Sequence, residues 1–245
     1  MCISINALKD RIFWFSVDRG EIISYLSEKG KKIVDGNPKQ LVERGYDCIA
    51  QRYLAWSKHA PARMSYLQKV LERLSEPSQV LELGCGAGVP CTRSLAQYAH
   101  LTGVDISAAQ IALARQHVPN APLFQADMME LAFAPATFDA VVAFYSIIHL
   151  PRAEQAVLIN RLAQWLRPGG WFLVNLGVSN DPGSIEPSWL GTTMYWSSYD
   201  AQTNLGLVSQ AGFTLVETEI LADDEDGEPV SLLWILAKKE LTTED

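Results

Sequence analysis

The chain has 245 residues, 48% apolar and 20% charged, with 20 basic side chains against 28 acidic and a net charge of −8. This is enough apolar mass for one sizeable core, which excludes a mainly disordered chain, and the acidic balance excludes a general partner for nucleic acid or an anionic membrane surface. No apolar run reaches the roughly 18 residues of a membrane span; the longest, residues 140–150, contains Ser146 and His149.

Lys9, Asp10 and Arg11 interrupt any apolar stretch that a secretion signal would need near the start. Cys2, Cys48, Cys85 and Cys91 form no C-x-x-C pair, which reads as a cytoplasmic protein and not a disulfide scaffold. His59, His100, His117 and His149 are scattered without metal-ligand spacing, so no metal is expected.

In chain order, residues 1–40 form an extension without an assigned role, either an arm or a cover for a site, with a turn at Asp35-Gly-Asn-Pro38. Helical spacing of Leu41, Gly45, Ile49, Tyr53 and Trp56 predicts a helix over 41–56, and a second runs from Ala62 to Leu74. Strand and helix then alternate: strand 80–83, helix 90–99, strand 101–105, helix 108–117 capped by Ser107, strand 123–126, strand 138–144 and helix 152–166. A turn at Arg167-Pro-Gly-Gly170 leads to a fifth strand over 171–176. After a segment over 177–199, a helix from Asp200 to Ala211 ends at Gly212, and strand patterns over 213–221 and 230–238 flank an acidic, solvated loop. Continuous apolar strands separated by helices imply an α/β fold with a doubly wound parallel sheet covered on both faces, and the terminal hairpin requires one antiparallel strand.

The most informative stretch is Val80-Leu-Glu-Leu-Gly-Cys-Gly-Ala-Gly88, a strand running into a glycine turn and then a helix. Its spacing is G-x-G-x-G, not the dinucleotide G-x-G-x-x-G. Glu82 just before the glycines would repel a pyrophosphate and attract a cationic amino-acid group. Asp105 ends the second strand, placed to accept from both ribose hydroxyls, and Asp127 with Met128 after the third strand suits an adenine amine and ring. Phe144 and Tyr145 end the fourth strand at the carboxyl edge, where ligands sit in such sheets.

These residues resemble the class I S-adenosylmethionine-dependent methyltransferases. LELGCGAG is similar to their first motif, VDIS (104–107) to the ribose-binding loop and QADMMEL (125–131) to the adenine-binding loop. FDAVVAFYSIIHLP (138–151) and LRPGGWFLV (166–174) resemble the next two strand motifs, and YDCIAQRYLAW (46–56) resembles the helix that small-molecule members fold over the cofactor. The resemblance implies a Rossmann-like seven-stranded sheet with an antiparallel last strand and a helical N-terminal cap (41–75) within a domain over 41–240. It implies S-adenosyl-L-methionine as cofactor and S-adenosyl-L-homocysteine as product. The cofactor set is then Tyr46, Glu82, Gly84, Cys85, Gly86, Gly88, Asp105, Ile106, Asp127, Met128, Phe144 and Tyr145. Cys85 and Cys91 read as packing residues, because nothing near them in sequence would activate a thiol.

Methyl transfer from a sulfonium needs positioning, exclusion of water and aromatic faces near the cation, for which Tyr46, Tyr53, Phe144 and Tyr145 are candidates. His149 is the first candidate for a general base, with a loop-orienting role as the alternative and His59 in reserve. Residues 177–199 read as a lid, and Trp189, Met194, Tyr195 and Trp196, with Tyr53 and His149, as the lining for a small, rather apolar acceptor. Two other readings stay open: a nicotinamide-dependent oxidoreductase, and a non-catalytic subunit that binds the cofactor.

Overall fold

The computed structural model describes residues 12–18, 21–28, 31–34, 37–58, 61–225 and 228–241. His59 and the Asp35-Gly36 half of the expected turn lie outside them.

The described chain opens with β1 (Ile12–Asp18), β2 (Glu21–Glu28) and β3 (Lys31–Val34), paired as a separate antiparallel sheet where the sequence offered only an arm or a cover. Helix α1 (Pro38–Ser57) follows. Its start obeys local chemistry: Asn37 accepts from the Lys39 N–H at 3.0 Å, and Pro38 takes the first helical position, where its missing N–H costs nothing. Helix α2 (Pro61–Leu71) ends three residues before its apolar pattern suggested, because the chain turns at Glu72–Leu74 through bonds to Gln68, Val70 and Leu71 carbonyls.

Alternation then begins with β4 (Gln79–Leu83), α3 (Cys91–Tyr98), β5 (His100–Asp105), α4 (Ala108–His117), β6 (Leu123–Gln125) and β7 (Phe138–Ala143). A single 3₁₀ turn at Ile147–His149 precedes α5 (Arg152–Trp165) and β8 (Leu166–Gly177). The Arg167–Gly170 turn is absorbed into β8 as a bulge: Phe138 pairs with Leu166 and Ala140 with Trp171, so four residues loop out. Asp139 anchors the bulge, accepting from Arg167 at 2.5 and 2.6 Å and from the Gln79 N–H at 2.7 Å. Residues after β8 form a two-stranded hairpin of β9 (Asp181–Trp189) and β10 (Thr192–Ser198). The chain closes with α6 (Ala201–Gln210), β11 (Phe213–Glu225) and β12 (Glu228–Lys239).

The main sheet has seven strands in the order β11-β12-β8-β7-β4-β5-β6. Strand β12 runs against both β8 and β11, while the β8-β7-β4-β5-β6 pairings are parallel. Period-2 alternation sends Val80, Ala140 and Val142 to the face covered by α2 and α3, and Leu81, Leu83, Val141 and Ala143 to the face covered by α5 and α6. Each fully buried Val or Leu removes enough apolar surface to contribute about 2 kcal/mol, which is why these strands read as unbroken apolar runs. Connections from β4 proceed outward one way and those from β7 the other, leaving the switch point between these neighbours. No helix among the described residues is long and apolar enough to cross a membrane.

Candidate functional site

At the switch point the turn after β4 meets the turn after β7. Ser146 donates its hydroxyl to the Leu83 carbonyl at 2.8 Å. Gly84 has φ +77°, and a Cβ there would fall 2.3 Å from the Ser146 Cβ. Glycine is therefore required twice, by the backbone conformation and by the close approach. A cleft of about 570 Å³ opens over this junction. Tyr46, Gly84, Gly86, Asp105, Ile106, Asp127, Met128, Phe144 and Tyr145 line it, together with Tyr53 and His149. Gly88 faces elsewhere: at φ +82° its missing Cβ leaves room for Ala114, whose Cα would lie 3.0 Å away, so it lets α4 pack on the turn. Glu82 and Cys85 sit behind the glycines in a smaller space shared with Arg63 and Tyr53.

Glu82 is 3% exposed, and its Oε2 has no hydrogen-bond partner. Burial pushes its carboxyl up to about 8, against the lowering effects of a Thr92 hydrogen bond and the Arg63 charge. Asp105 accepts from the Gly86 N–H at 2.8 Å through Oδ2 and from the Ser107 N–H at 2.9 Å through Oδ1. Burial raises it to about 6 while those backbone bonds oppose the shift. Each of its oxygens retains a lone pair for a further donor. Cys91 is pushed up to about 12 and Cys85 well above its usual range, both by burial, so neither is an activated thiol.

Helix α1 closes over the cleft through several ties. Lys39 pairs with Asp127 at 2.6 Å and Glu154 at 3.0 Å. Asp47 accepts from the Ser107 hydroxyl at 2.6 Å and the Ala109 N–H at 3.0 Å, at the start of α4. Tyr46 meets His149 Nε2 at 2.8 Å, and His149 Nδ1 meets the Tyr195 carbonyl at 2.8 Å. A carbonyl only accepts, so Nδ1 carries the proton and Nε2 accepts from the Tyr46 hydroxyl. Burial lowers His149 to about 4, opposed by the bond to Tyr195, and the ring is neutral at pH 7.

The acceptor set divides. Met194 and Tyr195, at 0% and 4% exposure, pack beneath α1 with Val42, Ile49 and Tyr53 and do not line the cleft. Trp189 and Trp196 form part of an aromatic wall with Tyr46, Tyr53 and His149. Among the described residues no group of three His, Cys, Asp or Glu side chains is arranged to hold a metal.

Sequence reasoning passed over Lys39, Arg63 and Gln110. Gln110 follows Ser107 by three residues, the spacing of a capping box in which it would reach back to the Ser107 N–H. That N–H goes instead to Asp105, so the Gln110 amide turns into the cleft, 1% exposed and with neither end partnered. The box pattern was the available signal, and it pointed to a local role. Lys39 and Arg63 have no local signal, because their partners lie far along the chain.

Residues 80–170 match a family model described as a methyltransferase domain. The chain is 34% identical to "Sterol methyltransferase-like 1" of Botryococcus braunii, over 51% of this chain and 34% of that protein. It is 31% identical to "Ubiquinone biosynthesis O-methyltransferase" of Xylella fastidiosa, over 47% of each. The chain thus spans between a third and a half of these curated relatives. Among solved structures, magnesium protoporphyrin IX methyltransferase from Synechocystis with bound S-adenosylhomocysteine aligns at TM-score 0.62 and 16% identity, over 83% of this chain and all of that one, which is a likeness of fold.

Proposed function

We propose, from the match of residues 80–170 to a methyltransferase-domain model and the geometry of the cleft, that the chain is a class I S-adenosylmethionine-dependent methyltransferase and transfers a methyl group from that cofactor to a small-molecule acceptor. The observation that carries the reading is Glu82: a buried carboxyl with an unpartnered oxygen, beside Arg63 and behind the glycine turn. A carboxyl and a guanidinium together suit the ammonium and carboxylate of an amino acid, and the carboxylate disfavours the paired phosphates of a nicotinamide cofactor. Asp105 then takes the ribose hydroxyls, Gln110 adds a donor and an acceptor beside it, and Asp127 with Met128 takes the adenine. When bound, the cofactor supplies an electrophilic methyl on a sulfonium.

The remaining steps belong to the chain. Helix α1 and the aromatic wall exclude water from the cleft. Phe144, Tyr145 and Tyr46 present ring faces to a cation. Where the acceptor must lose a proton, that proton passes to the Tyr46 oxygen while the Tyr46 hydroxyl proton moves to His149 Nε2. Tyr46 is unchanged overall and His149 becomes imidazolium. Burial opposes that charge, and the opposition weakens as the sulfonium charge in the same cleft disappears.

Calorimetry with S-adenosylhomocysteine and NAD, followed by transfer of labelled methyl to a panel of phenols, thiols and amines, tests this. We expect the homocysteine nucleoside alone to bind. Tyr46→Phe and His149→Ala should each lower turnover by about 10²-fold or more on an acceptor that must shed a proton, with cofactor affinity nearly kept. NAD binding in its place would overturn the reading, and unchanged turnover in both variants would remove the relay.

A further inference from the structure

Lys39 stands in the first turn of α1, just after the Asn37 cap. From there its Nζ reaches Asp127 Oδ2 at 2.6 Å and Glu154 Oε2 at 3.0 Å. One ammonium thus joins three segments far apart in sequence: α1, the loop after β6 and the first turn of α5. Lys39, Asp127 and Met128 all line the cleft. The Lys39 and Asp127 side chains are 18% and 15% exposed, so water and salt screen the pair less than a surface pair. Burial alone would lower the Lys39 pKa; the two carboxylates outweigh it and raise the ammonium above the usual lysine value.

The loop that carries Asp127 is held independently of α1. The Glu130 N–H donates to the Asp127 carbonyl at 2.9 Å, and Arg161 of α5 donates to the Met129 carbonyl at 2.6 Å and to the Leu131 carbonyl. The Asp127 backbone therefore does not depend on Lys39, but its carboxylate does. Oδ1 accepts from the Met129 N–H at 2.8 Å, and Oδ2 is held by Lys39. Two bonds at different oxygens fix the plane of the carboxylate. With the first bond alone it turns about its terminal torsion, which has broad minima. Each oxygen has a further lone pair to offer.

Resting on the methyltransferase reading above, we infer that Lys39 is a positioning residue for the nucleobase: it orients the Asp127 carboxylate to accept from the 6-amino group of adenine, and the cleft thereby rejects a base with an acceptor at that place. The amine donates to a lone pair of Asp127. A 6-oxo group meets the carboxylate acceptor to acceptor, and neither finds a proton there.

The test uses the full chain, calorimetry and two nucleosides, S-adenosylhomocysteine and S-inosylhomocysteine, which carry a 6-amino and a 6-oxo group. The first compound on the wild type reports on the cofactor reading alone; its failure to bind would sink that reading whatever Lys39 does. We expect the wild type to bind the adenosyl compound at least about thirtyfold more tightly than the inosyl compound. Lys39→Met should cut that ratio by about tenfold, and Lys39→Arg, which restores the charge, should keep it within about threefold. Glu154→Gln removes only the far carboxylate; it should weaken both nucleosides by the same factor and leave the ratio as it is. Should circular dichroism show that Lys39→Met does not fold, Lys39→Gln carries the same expectation. A folded Lys39→Met protein that weakens both nucleosides equally overturns the inference, because Lys39 then only ties α1 down. A wild type that binds both nucleosides alike overturns it too, because Asp127 then does not read the amine.

Discussion

If Glu82 holds the ammonium of the cofactor, it must be ionised when the cofactor is bound, yet burial holds it near 8 without one. Binding then expels a proton, and affinity rises with pH. From pH 6.5 to 7.5 the ionised fraction of a group at 8 grows from ~3% to ~24%, about eightfold. The ligand's own α-ammonium, with a usual pKa of about 7.8, takes back part of this, leaving a net gain of about fivefold, or ~1 kcal/mol. Asp105, raised to about 6, adds only ~1.3-fold over that range. Calorimetry of S-adenosylhomocysteine in buffers of different ionisation enthalpy should show the gain and nearly one proton released at pH 7. Methylthioadenosine lacks the amino-acid moiety and should show only the small Asp105 effect. Glu82→Gln should lose affinity for the first ligand and flatten its profile. Flat or falling affinity of the wild type, or an equal rise for methylthioadenosine, would refute the argument. The sign for stability is the opposite: both carboxyls are raised above their unfolded values, so the ligand-free protein loses stability as pH climbs from about 4 through about 8.

Two substitutions probe the architecture. Gly84→Ala should cost about 2–4 kcal/mol of stability, from a strained left-handed backbone and a clash with Ser146, and should weaken S-adenosylhomocysteine by more than about tenfold; thermal unfolding and calorimetry read both, and an unchanged melting temperature would contradict the close approach of the two turns. Asn175→Ala removes the acceptor that fixes Tyr145, and it should cost about 1–3 kcal/mol and lower methyl transfer more than cofactor affinity; a variant with full turnover would separate Tyr145 from the transfer path.

The family match over residues 80–170 covers β4 to β7 and the turns that line the cleft, and the β9–β10 hairpin, Asp181–Ser198, lies beyond it.

The order of strands and helices from α1 to β8 and from α6 to β12, the glycine turn and the acids Glu82, Asp105 and Asp127 were legible along the chain, because each depends on short-range rules: apolar alternation, N-caps such as Ser107, and glycine where φ is positive, whereas β1–β3 were not. The hairpin at 181–198 was read only as a lid, since its aromatics pack on α1 and not in a periodic strand pattern. Gln110 stands at capping-box spacing from Ser107 and was passed over, and only the fold shows that Asp105 takes the Ser107 N–H and leaves the Gln110 amide facing the cleft. The Tyr46–His149 bond spans 103 residues and the Lys39–Asp127 pair nearly as many, and no local pattern encodes such separations. Sequence periodicity decides which elements form and which way their faces point. The packing of helices and the β9–β10 hairpin across the sheet edge decides which buried polar groups lose water, and that desolvation shifts the protonation of Glu82, Asp105 and His149.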